Sequence, residues 1–291
     1  MTGTQKMMNE TNGTQHGGLQ RNPDRSELKL KPLLLGNGKL AKHLHHYFHL
    51  LDLPHKHFEN ARDLDSPDLH RKLEGVNAIW ILTSDRAIAE VKQELESKIA
   101  ARSDKQNEKQ NVQLSSPFTW IHSSAATEVE GMITLHPLMT FGAELYSLEQ
   151  YLQIPFAVMA TSSAHHQLQH YLDLPNPSFA ITDDQRALYH AHAVMMSNLP
   201  ILLWSMTAKN AANTLNLGPE TFDPILRQTL QNFIGQREKA LTGPIVRGDR
   251  ATIDKNLTAL RSIDPEGKNA LASIYETFLS SFTYPSEREK T

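Results

Sequence analysis

Leu33-Leu34-Leu35 runs directly into Gly36-Asn37-Gly38-Lys39-Leu40-Ala41. An apolar run, a glycine turn and a segment with Leu40, Leu44 and Phe48 at i, i+4 and i+8 predict strand, turn and helix. The alternation continues downstream. His55–Phe58 reads as a weak strand, and Ser66 as the cap of a short helix through Leu73. Asn77–Thr83 reads as a buried strand and Asp85–Ile99 as an amphipathic helix. Phe118–His122, Ile154–Ala160 and Ser178–Ile181 are further strands. Short apolar strands separated by helices predict an α/β fold, a doubly wound parallel sheet covered on both faces.

After Thr182 the pattern becomes helical. Asp183–Leu215 reads as one long helix, capped by Thr182 or Asp183 and bent at Pro200. Further helices are expected around Pro219–Phe233, Ala251–Arg261 and Lys268–Phe282. The expected organisation is a tail over 1–31, an α/β domain over 32–182 and an all-α domain over 183–291. The tail is too polar to offset its own ordering, which predicts disorder. It has no signal-peptide core, so the cytoplasm is the expected compartment. Ala101–Asn111 reads as a solvated loop. Ala191–Ala208 carries no Asp, Glu, Lys or Arg, but His192, Ser197, Asn198 and Pro200 interrupt it. A helix buried on most sides by protein is expected there, not a membrane span.

Composition narrows the chemistry. With 29 Lys+Arg against 32 Asp+Glu, a net charge of −3, the chain lacks the positive field that nucleic acid rewards. The absence of Cys excludes disulfides, thiolate metal sites and a thiol nucleophile. The 15 histidines raise metal or acid–base chemistry. His45 and His49 have i, i+4 spacing, but there is no H-E-x-x-H and no third ligand, so no metal is expected. His43, His45, His46 and His49 read as a solvated helix face, and so do His165, His166 and His170.

Gly36-Asn37-Gly38-Lys39-Leu40-Ala41 is G-x-G-x-x-A, a dinucleotide fingerprint with alanine in its third place. Gly36 would permit the tight turn, and Gly38 would let a pyrophosphate approach the helix N-terminus. Near the end of the second strand, Glu59 suits a ribose 2′-hydroxyl and Arg62 a 2′-phosphate. The balance favours NADP, with NAD possible.

Further strings follow in order: His136-Pro137-Leu138-Met139-Thr140-Phe141, Ala187-Leu188-Tyr189-His190-Ala191, Ser197-Asn198 and Leu241-Thr242-Gly243-Pro244-Ile245-Val246-Arg247-Gly248-Asp249. Together with the fingerprint they resemble an uncharacterised family of Rossmann-like proteins with a helical C-terminal domain of unknown function. Its N-terminal part is similar to deazaflavin-dependent NADP oxidoreductases. Its helical part is similar to those of 6-phosphogluconate and ketopantoate-type dehydrogenases. The resemblance spans about residues 32–282. It implies an NADP cofactor, an unidentified small-molecule substrate and a homodimer built on the helical domain. Ala41, Thr83-Ser84-Asp85 and His122-Ser123-Ser124-Ala125 depart from the family pattern.

In such folds ligands lie outside the carboxyl ends of the strands. Thr83, Ser84, Asp85, His122 and Ser123 are therefore expected at the cofactor, although Ser84 or Asp85 could instead cap the next helix. Pro137 holds His136 extended. His190 and Ser197 share a helix face with Asn198 one step around. The related dehydrogenases place a Lys and an Asn on the equivalent helix, and no Lys stands in this stretch. His190 is thus the expected proton-transfer group, with Asn198 orienting substrate and His136 a further catalytic candidate. The alternative is that His190 and Asn198 are satisfied buried polar groups. Arg247 would hold a substrate carboxylate or phosphate, or pair with Asp249 to pin a loop. These features predict an NADP-dependent oxidoreductase; the alternative is a non-catalytic dinucleotide sensor or scaffold.

Overall fold

A computed structural model describes residues 30–107, 118–159, 174–263 and 270–282. Nearly all of the expected tail lies outside these, as do His165, His166 and His170. The chain forms two compact units, one ending at Tyr189 and the other beginning at His190.

The first unit contains β1 (Pro32–Leu35), α1 (Lys39–Leu50), β2 (Lys56–Phe58), α2 (Pro67–Leu73), β3 (Ala78–Ile81) and α3 (Ile88–Asn107). These are followed by β4 (Thr119–His122), β5 (Ile133–Pro137), α4 (Leu148–Leu152), β6 (Phe156–Met159) and β7 (Ser178–Ala180). The strands form one sheet in the order β2-β1-β3-β4-β5-β6-β7. Alternate residues of each strand point to opposite faces, and both faces are buried. Leu34 and Trp80 pack with Leu44 and Phe48 of α1. Leu33, Leu35, Ile79 and Ile81 pack with Leu69 of α2 and with Ile88 and Leu95 of α3. The fold is doubly wound.

One feature corrects the all-parallel expectation. Strand β6 is antiparallel to β5, and β7 is parallel to β6, so the last two strands oppose the first five. The connection through α4 returns to the edge it left: the Leu138 N–H donates to Pro155 O at 2.9 Å. Without a crossover, the next strand must run backwards.

Two local expectations are also corrected. Residues 101–107 continue α3 instead of forming a loop, since nothing there breaks a helix. His43 is not on a solvated face but is 1% exposed, with its Nδ1 2.8 Å from Tyr151 Oη and its ring against Phe141 and Tyr146. Burial pushes its pKa below the usual imidazole value. His45 and His49 are exposed, as expected.

Helix α5 (Arg186–Leu215) begins in the first unit and continues into the second, with Pro200 inside it. It is followed by α6 (Asp223–Gln236), α7 (Pro244–Arg247), α8 (Arg250–Ser262) and α9 (Leu271–Ser281). The apolar stretch of α5 is not enclosed by its own chain. Met196 is 69% exposed and Leu202 56%, with Met195, Leu199 and Ile201 also bare. Among the described residues, no helix is long and apolar enough to cross a membrane.

Candidate functional site

The chain winds to one side from β1 to β2 and to the other through β3. This places a crevice at the carboxyl ends of β1 and β3, the topological switch point of such a sheet. A cleft of about 800 Å³ opens there, within the usual range for ligand sites. Its floor is the glycine turn, from Gly36 through Asn37, Gly38 and Lys39 to Leu40. Glu59, Asn60 and Arg62 line it beyond β2; Thr83, Ser84 and Asp85 line it beyond β3; Ser123 and Ser124 line it beyond β4.

The two glycines serve different needs. Gly36 has φ +144°, and a Cβ there would sit 2.5 Å from the Leu82 carbonyl oxygen. The fold itself requires that glycine. Gly38 has an ordinary φ of −70°, and its Cβ would meet only Leu82 O, at 3.9 Å. Its chain neighbours aside, no other atom of the described residues lies within 4 Å of that position. Thr83 Oγ1 is buried beside the same cleft without a hydrogen-bond partner among the described residues. An open cradle at a helix N-terminus and an unsatisfied buried hydroxyl both fit a polar, anionic ligand such as a dinucleotide. Ser84 makes no side-chain cap on the turn at Asp85–Ala87, so the simple capping role is not realised.

Beyond β4 the expected contact is shifted by one residue. His122 is 0% exposed and does not line the cleft, which corrects its assignment to the cofactor surface. It acts one step behind. The Ser124 N–H donates to His122 Nδ1 at 3.2 Å, so the ring proton sits on Nε2 and is donated to Thr134 Oγ1 at 2.9 Å. Arg186 also donates to Thr134 Oγ1, at 3.0 Å, as well as to Thr127 O and Asp183. Trp80 Nε1 donates to Ser123 Oγ at 2.9 Å. The Ser123-Ser124 rim is thus fixed from below by buried polar groups. Burial, with the Arg186 guanidinium second, pushes the His122 pKa down to about 4.

His122 pairs in register with Thr134, so Leu135, His136 and Pro137 extend past the end of β4 on its carboxyl side. There His136 Nδ1 meets Tyr189 Oη at 2.8 Å, with the rings edge to face. Burial raises the Tyr189 hydroxyl to about 12. Tyr189 also packs in a cluster with Ala125, the residue after the Ser123-Ser124 rim. Tyr189 stands in the Ala187–Ala191 string without a local signal of its role, because its partner lies 53 residues away.

His190, Asn198 and Arg247 belong to the second unit. Asn198 and Arg247 are exposed, and His190 is half-buried. Ser197 donates to its own helix at Ala193 O, 2.7 Å away. Asp249 caps α8 by accepting from Thr252 N at 3.1 Å and Oγ1 at 2.7 Å, which holds its carboxyl below the usual range. Arg247 acts on Asp249 as a nearby charge that helps lower its pKa, after the two Thr252 hydrogen bonds. The described residues contain no group of three or more His, Asp or Glu arranged for a metal.

Strand order, glycine turn and switch-point cleft define a Rossmann-like fold joined to a helical C-terminal region. Residues 154–281 match the family model of a domain of unknown function, DUF2520. The chain is similar in structure to a protein from Thermotoga maritima (TM-score 0.63, 19% identity, covering 86% of this chain and 96% of that one). It is also similar to a candidate NADP oxidoreductase from Bacteroides fragilis (TM-score 0.59, 19% identity, 87% and 97%). An imine reductase from Streptomyces aurantiacus shares the fold more distantly (TM-score 0.50, 10% identity, 86% and 95%). No curated protein matches the sequence.

Proposed function

We propose that this protein is an NADP-dependent oxidoreductase that transfers a hydride between nicotinamide and a small substrate bearing a carbonyl, imine or hydroxyl. The observation that carries the reading is the unstrained glycine at position 38, with room for a Cβ at the start of α1, at the switch point of the sheet. The hydride chemistry is what the nicotinamide supplies when bound. The chain's part is binding, orientation and a proton. Backbone N–H groups from Asn37 to Leu40, at the start of α1, would hold the pyrophosphate. Arg62 pairs with a 2′-phosphate, whereas Glu59 would select a 2′-hydroxyl. Thr83, Ser84, Asp85 and Ser123, which line the same cleft, would hold the rest of the cofactor.

For the proton, the structure supports a pair that His136 forms with Tyr189. A hydroxyl with a pKa of about 12 stays protonated at neutral pH, and the adjacent imidazole can replace a proton it gives up. His190, Asn198 and Arg247 are assigned to substrate, with His190 the competing donor. Calorimetry tests the cofactor: NADPH should bind more tightly than NADH, and Arg62→Ala should weaken NADPH by about tenfold while leaving NADH within about twofold. No binding of either would discard the reading. NADPH oxidation over a panel of ketones and cyclic imines, with Tyr189→Phe and His190→Ala, then separates catalyst from sensor and one donor from the other.

The bare apolar face of α5 supports a homodimer through the second unit, since a patch of this kind is normally covered by a partner. Light scattering should give twice the chain mass, and Leu202→Glu should give monomers. A wild-type monomer would remove the assignment.

A further inference from the structure

We infer that His57 is a positioning residue of the dinucleotide turn, holding the Gly36 carbonyl so that the Asn37 N–H faces the bound phosphate. The inference rests on the cofactor reading above but concerns a residue outside the cleft lining. His57 Nε2 lies 2.8 Å from Gly36 O; the carbonyl can only accept, so Nε2 donates. A trans peptide is planar, with its C=O and N–H pointing in opposite directions. Fixing the Gly36 carbonyl therefore fixes the N–H of the same peptide, which belongs to Asn37, a cleft-lining residue. That N–H has no hydrogen-bond acceptor among the described residues.

The other hydrogen bond of Gly36 among the described residues is a backbone bond. Gly36 N–H donates to Phe58 O at 2.9 Å, and its Cα lies against Leu82. Those contacts fix where the turn sits, but neither engages the Gly36 carbonyl. His57 is the side chain that sets the plane. Its ring is backed by His45, with centroids 4.7 Å apart. His45 Nδ1 meets His55 Nε2 at 2.8 Å, and His55 Nδ1 donates to Leu53 O at 2.8 Å. Part of the histidine excess thus forms a buttress behind the turn.

Glutamine and phenylalanine divide the possibilities, because the glutamine amide nitrogen can occupy the place of Nε2 and donate, whereas phenylalanine cannot. His57→Phe should weaken NADPH by about five- to tenfold, as for one lost hydrogen bond, and His57→Gln should stay within about twofold of wild type. Melting temperatures of both variants report whether they are folded. Equal affinity of the phenylalanine variant and wild type, or equal weakening of both variants, would overturn the inference. The Asn37 amide resonance in the cofactor-free protein is a second readout. It should move in His57→Phe and stay in place in His57→Gln. A wild type that binds no dinucleotide would end the cofactor reading, while an unmoved Asn37 resonance in His57→Phe would end this one.

Discussion

Gly36→Ala should unfold the first unit, whereas Gly38→Ala should leave it folded and unable to hold NADPH. At Gly36 the added carbon would lie 2.5 Å from Leu82 O, a backbone atom that cannot swing aside. The φ of +144° is also one that L-residues rarely adopt. Relief requires parting β1 from the end of β3, at a cost of about 3 kcal/mol or more, a large share of a domain's stability. At Gly38 the contact is an ordinary 3.9 Å and the backbone is unstrained, so the methyl group costs the fold little. It would, however, fill the space through which a pyrophosphate approaches the α1 N-terminus, and affinity should fall by at least about tenfold. Thermal melts and calorimetry on the two variants check both halves. Normal NADPH binding by Gly38→Ala would remove the main support for the cofactor assignment.

Acid should loosen the rim of the same cleft. His122 is neutral in the folded chain, with a pKa near 4, while an unfolded imidazole titrates at about 6.5. Between these values the unfolded chain binds more protons, so stability is full above about pH 6.5 and falls as the pH drops towards 4. The loss from His122 alone is about 3 kcal/mol. His43 and His55 are shifted in the same direction, chiefly by burial, and add to the slope. Protonated His122 would also set an Nδ1–H against the Ser124 N–H, two donors where one bond existed. Melting curves from pH 7.5 to 4.5 should therefore fall less steeply for His122→Gln than for wild type. Parallel curves would show that His122 does not carry the titration.

What could be read in advance follows the range of the interactions. Strand β1, its glycine turn and α1 are contiguous, and their periodicity and turn chemistry agree, so the switch-point cleft was foreseeable from Leu33 to Ala41. Strand β5 was not, because Thr134 and His136 break its apolar run. They are tolerated there through partners such as His122, Arg186 and Tyr189, which are distant in sequence. His43 looked solvated among polar neighbours, and only the aromatic residues between Phe141 and Tyr151 enclose it. The roles of His57 and Tyr189 likewise depend on pairings across the fold. Residue type and spacing mark where a backbone turns, but they do not say which side chain closes a hydrogen bond from another element.

The buried Arg186 has a practical corollary for dissecting the chain. A truncated protein ending at Thr182 would retain every strand yet lose the guanidinium that donates to Thr134 Oγ1 and Thr127 O. It would also lose the hydroxyl that meets His136. An isolated first unit therefore needs the first turn of α5 to keep its rim in place, and its useful end lies past Tyr189.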